Sequence, residues 1–265
     1  RKPYSSNRKK LKPKINPTSF EPFSGYAHVI DGDTIKIRGM KIRLAGINAP
    51  ELDRPYGVKS KYEMVKIVKG KKVYVVPGNH DISNGESKSY QGDESLAVKS
   101  ISAKEFKSNY MSFGYDEALF SDPASLSYVV EPSDGLWVLG LDACLYRENL
   151  PDHHPHTDGI FSTETLAWIE SIAEKAKLQE KKMIAFMHHA VLEHYNGQEK
   201  FYGEYIVNDS KNISKKFAAL GINVVFTGHY HAQDITIKQW KNGNFILDIE
   251  TGSLVTYPCP LREVK

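Results

Sequence analysis

Val224-Val225-Phe226-Thr227-Gly228-His229-Tyr230-His231 decides the reading of this chain: an apolar run passes straight into a glycine and two alternate histidines. The same grammar occurs twice upstream. Val73–Val76 runs into Pro77-Gly78-Asn79-His80-Asp81, and Met183–Met187 runs into His188-His189. Short apolar runs bounded by turn residues read as buried strands, and α/β sheets bind ligands where loops leave the carboxyl ends of their strands. Imidazoles and an amide oxygen brought there by separate strands suit one divalent ion. Gly228 permits the sharp turn that lets His229 and His231 face the same way.

Outward from these runs, Leu136–Leu141 is a further apolar strand candidate. Helical spacing occurs over Ser102–Asn109, Thr163–Leu178 and Ile213–Leu220. In the second of these, Ser162 or Thr163 can cap the first amides and Glu164 suits the dipole. Leu166, Ile169, Ile172 and Ala176 make its apolar stripe. Strands alternating with helices predict a layered α/β domain. Ile235–Trp240 and Phe245–Ile249 around Asn242-Gly243 predict an antiparallel hairpin. Before residue 71 the pattern is β: Tyr26–Ile30 and Thr34–Arg38 flank Asp31-Gly32-Asp33, and Gly39-Met40 leads into Lys41–Ile47. Val58–Val68 has the spacing of a helix with Tyr62, Val65 and Val68 on one side.

The bulk numbers agree with a globular chain: 265 residues, 40% hydrophobic and 25% charged, enough for one large domain or two small ones. No apolar run approaches the roughly 20 residues needed to cross a bilayer. Cys144 and Cys259 are too few for a disulfide framework and lack zinc-site spacing, so they read as packing residues. The net charge of +3 hides an asymmetry: residues 1–14 carry seven basic residues and no acid, leaving −4 for the remainder. With Pro3, Pro13, Pro17 and Pro22, residues 1–24 read as a basic leader or linker, solvated or resting on nucleic-acid phosphates. The chain opens on Arg1 rather than Met, which leaves room for a longer parent.

Taken together, Gly78-Asn79-His80-Asp81, His188 and Gly228-His229-Tyr230-His231 resemble the last three signature blocks of the calcineurin-like metallophosphoesterases, over about residues 71–265. The resemblance implies a partial four-layer α-β-β-α sandwich and, as in the family, a dinuclear centre of manganese, iron or zinc. It implies that Asn79, His188 and His229 hold one metal and that His231 helps to hold the other. His80 would act over the phosphate as an acid or charge stabiliser, oriented by Asp81. The implied reaction is hydrolysis of a phosphate mono- or diester by a metal-bound hydroxide. The family's Asp-x-His and Gly-Asp-x-x-Asp blocks do not occur upstream of Asn79, so the expectation covers a single weakly held metal as well as a pair.

Val29-Ile30-Asp31-Gly32-Asp33-Thr34, followed by Ile42-Arg43-Leu44-Ala45-Gly46-Ile47-Asn48-Ala49-Pro50-Glu51, resembles a second family, the staphylococcal-type nucleases. That likeness covers about residues 25–75 and implies the opening of an OB-type barrel. It assigns calcium to Asp33, phosphate pairing to Arg43 and water activation to Glu51, with Asn48 where the family has a second carboxylate. The expected organisation is therefore a leader over 1–24, a nuclease-like β segment over 25–70 and a metallophosphoesterase-like domain over 71–265. Such a hybrid chain would be a phosphoesterase, a calcium nuclease, or an impaired relic with a weak metal site. An extracytoplasmic location is expected because both families have many exported members. His153, His154 and His156 read as a solvated loop, His189 as support for the site or as packing, and His194 and His28 as ordinary residues. Insertions at Tyr110–Asp122 and Asp142–Gly159 would shape the substrate face. Tyr115, Tyr146, Tyr195 and Tyr202 are candidates either for a pocket wall or for packing.

Overall fold

The computed structural model describes residues 28–30, 34–37, 40–43, 58–59, 61–62, 65, 72–91 and 94–253. Its centre is a seven-stranded mixed sheet. In chain order these strands are β6 (Phe120–Ser121), β7 (Tyr128–Ser133), β8 (Leu136–Leu141), β9 (Lys182–Met187), β10 (Ile222–Thr227), β11 (Asp234–Gln239) and β12 (Phe245–Glu250). They lie in the order β11-β12-β10-β9-β8-β7-β6. Strands β8, β9, β10 and β12 are parallel, and antiparallel β11 and β7–β6 flank them. The parallel strands are apolar on both faces because both faces are covered.

The opposite faces have different covers. Phe106 of α1 (Ala103–Asn109) and the segment leading from Tyr74 through Ile82 cover one, packing on Tyr128, Val130, Val138 and Phe186. A capping box between Ser102 and Glu105 starts that helix. The other face packs on α2 (Thr163–Leu178) and α3 (Ser210–Ala219). Ser162 Oγ accepts the amide of Thr165 at 3.1 Å, and Lys175 and Lys177 occupy the last turn, so both ends of α2 match the dipole. Ile169 and Ile172 are fully buried with Ala176 against Trp137, Leu139 and Leu141 of β8. Each isoleucine stabilises the fold by about 1.5–3 kcal/mol relative to exposure.

Two smaller sheets complete the described strands. β1 (His28–Val29), β2 (Thr34–Ile37) and β3 (Met40–Arg43) form an antiparallel meander, and β4 (Lys88–Gln91) pairs with β5 (Glu94–Ala97). Residues 58, 59, 61, 62 and 65 are helical. Among the described residues no helix is long and apolar enough to cross a membrane.

The large mixed sheet with helices packed on it agrees with the expected α/β metallophosphoesterase-like fold, and the expected OB-type opening finds no support. Other expectations change. Val73–Val76 belongs to no strand: its backbone meets other partners. Val75 N donates to Phe113 O at 3.1 Å, and the Tyr128 hydroxyl donates to Val75 O at 2.8 Å. Tyr115 and Tyr146 are core residues, and the Tyr146 hydroxyl donates to Asp142 Oδ2 at 2.9 Å. His194 is no ordinary loop residue, since its ring is buried among carboxylates. β7 is not among the strands expected from pattern, although Asp134-Gly135 between apolar runs is a hairpin signal and Gly135 adopts φ 81° there.

Candidate metal centre

The parallel strands deliver the candidate residues to one edge. β9 ends at Met187 and opens into His188-His189, and β10 ends at Thr227 and opens into Gly228-His229. Gly228 N donates to His188 O at 3.1 Å, which joins the two exits. Tyr230 N then donates to Gly228 O at 2.8 Å, a tight reversal with His229 at its apex. His229 and His231 adopt φ of 71° and 60°, left-handed backbone conformations that L-residues other than glycine seldom take.

Asn79 arrives from the other side, on a turn held by Asp81. The Asp81 carboxylate accepts the Gly78 amide at 2.7 Å, and Asp81 N donates to Gly78 O at 3.2 Å. Burial raises the Asp81 pKa, and the Gly78 amide works in the opposite direction. The hydrogen bond of Asp81 thus shapes the turn that presents Asn79. Asn79 is buried, with Oδ1 at 3.0 Å from His188 Nε2, while its Nδ2 is buried without a partner. A Cβ on Gly78 would stand 3.0 Å from His188 Cε1, so the turn lies directly on that ring.

Three imidazoles form a block. The His188 and His229 ring centroids are 4.2 Å apart, and His189 lies 5.1 and 4.8 Å from them. Thr157 O receives His189 Nε2 at 2.8 Å and stands 3.1 Å from His229 Nε2. Burial, reinforced by the neighbouring rings, lowers the His188 pKa well below its ordinary value. Burial and His189 push His229 down to about 3, and burial pushes His189 down to about 4. The block is therefore neutral near pH 7, the state in which imidazole nitrogen donates a lone pair to a cation.

Asn79, His188 and His229 line a cavity of about 880 Å³ with His80, His154 and His231. His80 is exposed, and its ring lies 5.5 Å from His154, whose Nδ1 is 2.8 Å from Glu86 Oε2. Partial burial and the His154 charge lower the His80 pKa. His153 and His156 are exposed, as expected of a solvated loop, whereas His154 returns to the cavity. No local pattern points to Thr157 O as a member of the block; the histidine-rich stretch was the signal for His154.

The donor chemistry fits a divalent cation. Neutral imidazole and amide oxygen form a borderline N/O set, and Asn79 Oδ1 and His188 Nε2 face each other across 3.0 Å. The orphaned Asn79 Nδ2 indicates an amide held for its oxygen rather than for two hydrogen bonds. Among the described residues no three of His, Cys, Asp or Glu form a metal-sized group, so the set depends on the asparagine. Of the nuclease-like residues, Asp33 and Glu51 lie outside the described residues, and Arg43 is described only in its β3 pairing with Thr34.

The sequence pattern of a family described as calcineurin-like phosphoesterase matches residues 13–233. That match runs through residues 25–70, and the nuclease likeness of that segment finds no support. No curated protein sequence matches the chain. One similar solved structure is a dimetal phosphatase from Danio rerio, 14% identical, with a TM-score of 0.48 over 76% of this chain and 67% of that one. With the greater part of its length matched, the chain belongs to the calcineurin-like phosphoesterase family.

Proposed function

We propose that the protein hydrolyses a phosphate mono- or diester at the cavity above β9 and β10, with a divalent metal held by Asn79, His188 and His229. The observation that carries the reading is the facing pair Asn79 Oδ1 and His188 Nε2 beside the neutral ring of His229. The metal, when bound, supplies charge neutralisation at the phosphoryl oxygens and acidifies water. The chain's own residues do the rest. His229 and His188 present uncharged nitrogens because burial disfavours their protonation. Thr157 O orients His189 and faces His229, which sets ring direction in the way outer partners usually do. His80, exposed on the cavity wall, would give a proton to the departing alkoxide or stabilise charge on it. His231 lines the same cavity and is the donor that would serve a second cation. Manganese, iron and zinc match the donor set.

The test is hydrolysis of bis-p-nitrophenyl phosphate and p-nitrophenyl phosphate with added manganese. The parent chain should be active, and both His229→Ala and a chelator should abolish the activity. Turnover indifferent to His229 would overturn the assignment.

A further inference from the structure

The cavity lining holds two chemically different groups. One is His80, His154, Lys88 and Lys99, with the Glu86 carboxylate beside His154. The other is Tyr205 and Tyr230, in ring contact with Tyr202 and, at Tyr230, with Tyr195, which lie outside the lining. These four tyrosines come from three segments: the loop after β9, the short helical turns over residues 198–205, and the loop after β10. They nevertheless form one contiguous group. The Tyr205–Tyr230, Tyr202–Tyr230 and Tyr195–Tyr230 centroids lie 5.0, 5.7 and 6.0 Å apart, and Tyr205 is 4.6 Å from His229.

Two features separate this group from ordinary packing. Tyr195 and Tyr202 remain 41% and 46% exposed, an aromatic surface left open beside a residue that lines the cavity. The Tyr195 and Tyr230 hydroxyls bond to each other at 3.1 Å, so what they offer a ligand is ring faces and edges more than hydroxyls. Ring surfaces of this kind hold planar aromatic groups by stacking and edge contact.

We propose that Tyr205 and Tyr230, backed by Tyr195 and Tyr202, form the subsite for a planar aromatic group carried by the alcohol half of the phosphoester. This rests on the phosphoesterase reading above. The basic group takes the anionic half, and the tyrosine group takes a ring one short linkage away. The ring's source is either a nucleobase or a simple aryl group.

Two substrate pairs keep the departing alkoxide nearly constant while changing the ring. Adenosine 5′-monophosphate and ribose 5-phosphate differ by a nucleobase, and benzyl phosphate and cyclohexylmethyl phosphate differ in planarity. With manganese, the aromatic member of at least one pair should have a kcat/KM roughly tenfold higher, carried in KM, the scale of one stacked ring. Tyr202→Ala and Tyr195→Ala should erase most of that preference, raising KM for the aromatic member of the pair far more than for its ring-free partner, and Tyr230→Phe should retain it. Preference in the nucleotide pair assigns a nucleobase, and preference confined to the benzyl pair assigns a simple aryl ester. Equal kcat/KM within both pairs, or a preference that survives both alanine variants, overturns the subsite. If no phosphoester is hydrolysed, the phosphoesterase reading fails by itself. Calorimetric titration of the same four compounds then decides the subsite: tighter aromatic binding lost in Tyr202→Ala supports it, and equal binding overturns it.

Discussion

His194 Nε2 lies 3.6 Å from Asp248 Oδ1, and the two side chains are 3% and 0% exposed. The His194 Nδ1 faces Asp234 Oδ2 at 2.9 Å, and Glu250 Oε2 stands 3.7 Å from Nε2. The cluster joins the loop after β9 to β11 and β12. Burial disfavours the imidazolium, but Asp248, Asp234 and Glu250 outweigh it and raise His194 to about 9. Burial raises Glu250 to about 7, opposed by His194.

Both shifts have the same sign for stability. The folded chain holds more protons than the unfolded one, so stability falls as pH rises. The His194 contribution is complete below about pH 6.5 and is lost as pH approaches about 9. The Glu250 penalty develops between its ordinary value and about 7. Urea midpoints should therefore decline from pH 6 to 9, with His194 accounting for on the order of 2–3 kcal/mol. His194→Gln should flatten most of that decline, and an unchanged slope would sink the account.

Asp248 also closes the loop that follows His188-His189. Its Oδ2 accepts the amides of Val191 and Leu192 at 2.7 and 3.0 Å, and its Oδ1 accepts the Thr227 hydroxyl at 2.6 Å. Asp248→Ala leaves two buried amides and a hydroxyl without acceptors, an expected loss of about 3 kcal/mol or more. Asp248→Asn keeps an oxygen acceptor and should lose less. Chemical denaturation of the two variants ranks them, and equal losses would refute the hydrogen-bond argument.

Gly159 leaves space for a ring. A Cβ there would stand 2.5 Å from His189 Nδ1 and 2.6 Å from its Cγ. Gly159→Ala should therefore displace His189 and, through Thr157 O, disturb His229. We expect about 1–3 kcal/mol of destabilisation and weaker manganese binding by calorimetry. Native metal affinity in the variant would show that Thr157 does not orient the block.

The Tyr128 hydroxyl receives the Val75 amide at 3.1 Å and donates to Val75 O at 2.8 Å. Tyr128→Phe preserves the ring packing against Tyr115 and Phe186 and removes this clamp together with the 3.3 Å bond to Phe113 O. Stability should fall by about 1–2 kcal/mol, and amide exchange of residues 74–79 should accelerate. Exchange that speeds up uniformly over the chain would argue against a local clamp.

Much of the fold was legible in local pattern. The helix over Thr163–Leu178 appears at its expected bounds because capping, dipole and a 3.6-residue stripe agree there. The runs ending at Met187 and Phe226 are strands of one parallel array. Their apolar continuity by itself implies a sheet covered on both faces. Asn79, His188 and His229 lie together in the structure, and each follows an apolar run that pattern had marked, although only the runs before His188 and His229 are strands. Local pattern failed at Val73–Val76, where high β-propensity met no neighbouring strand and the backbone turned to Tyr128 and Phe113.

Residue types, order and period were determined by sequence alone: which segments bury, where caps fall, and which donors sit at strand ends. Only tertiary structure decided the partners. His194 and Asp248 are 54 positions apart, and no periodicity links them. Nor does the sequence place Thr157 O against both His189 and His229, or gather four tyrosines from three segments into one group at the cavity. Secondary structure reflects interactions within a few residues, whereas a buried charge cluster or a pocket wall depends on which loops the sheet order brings together.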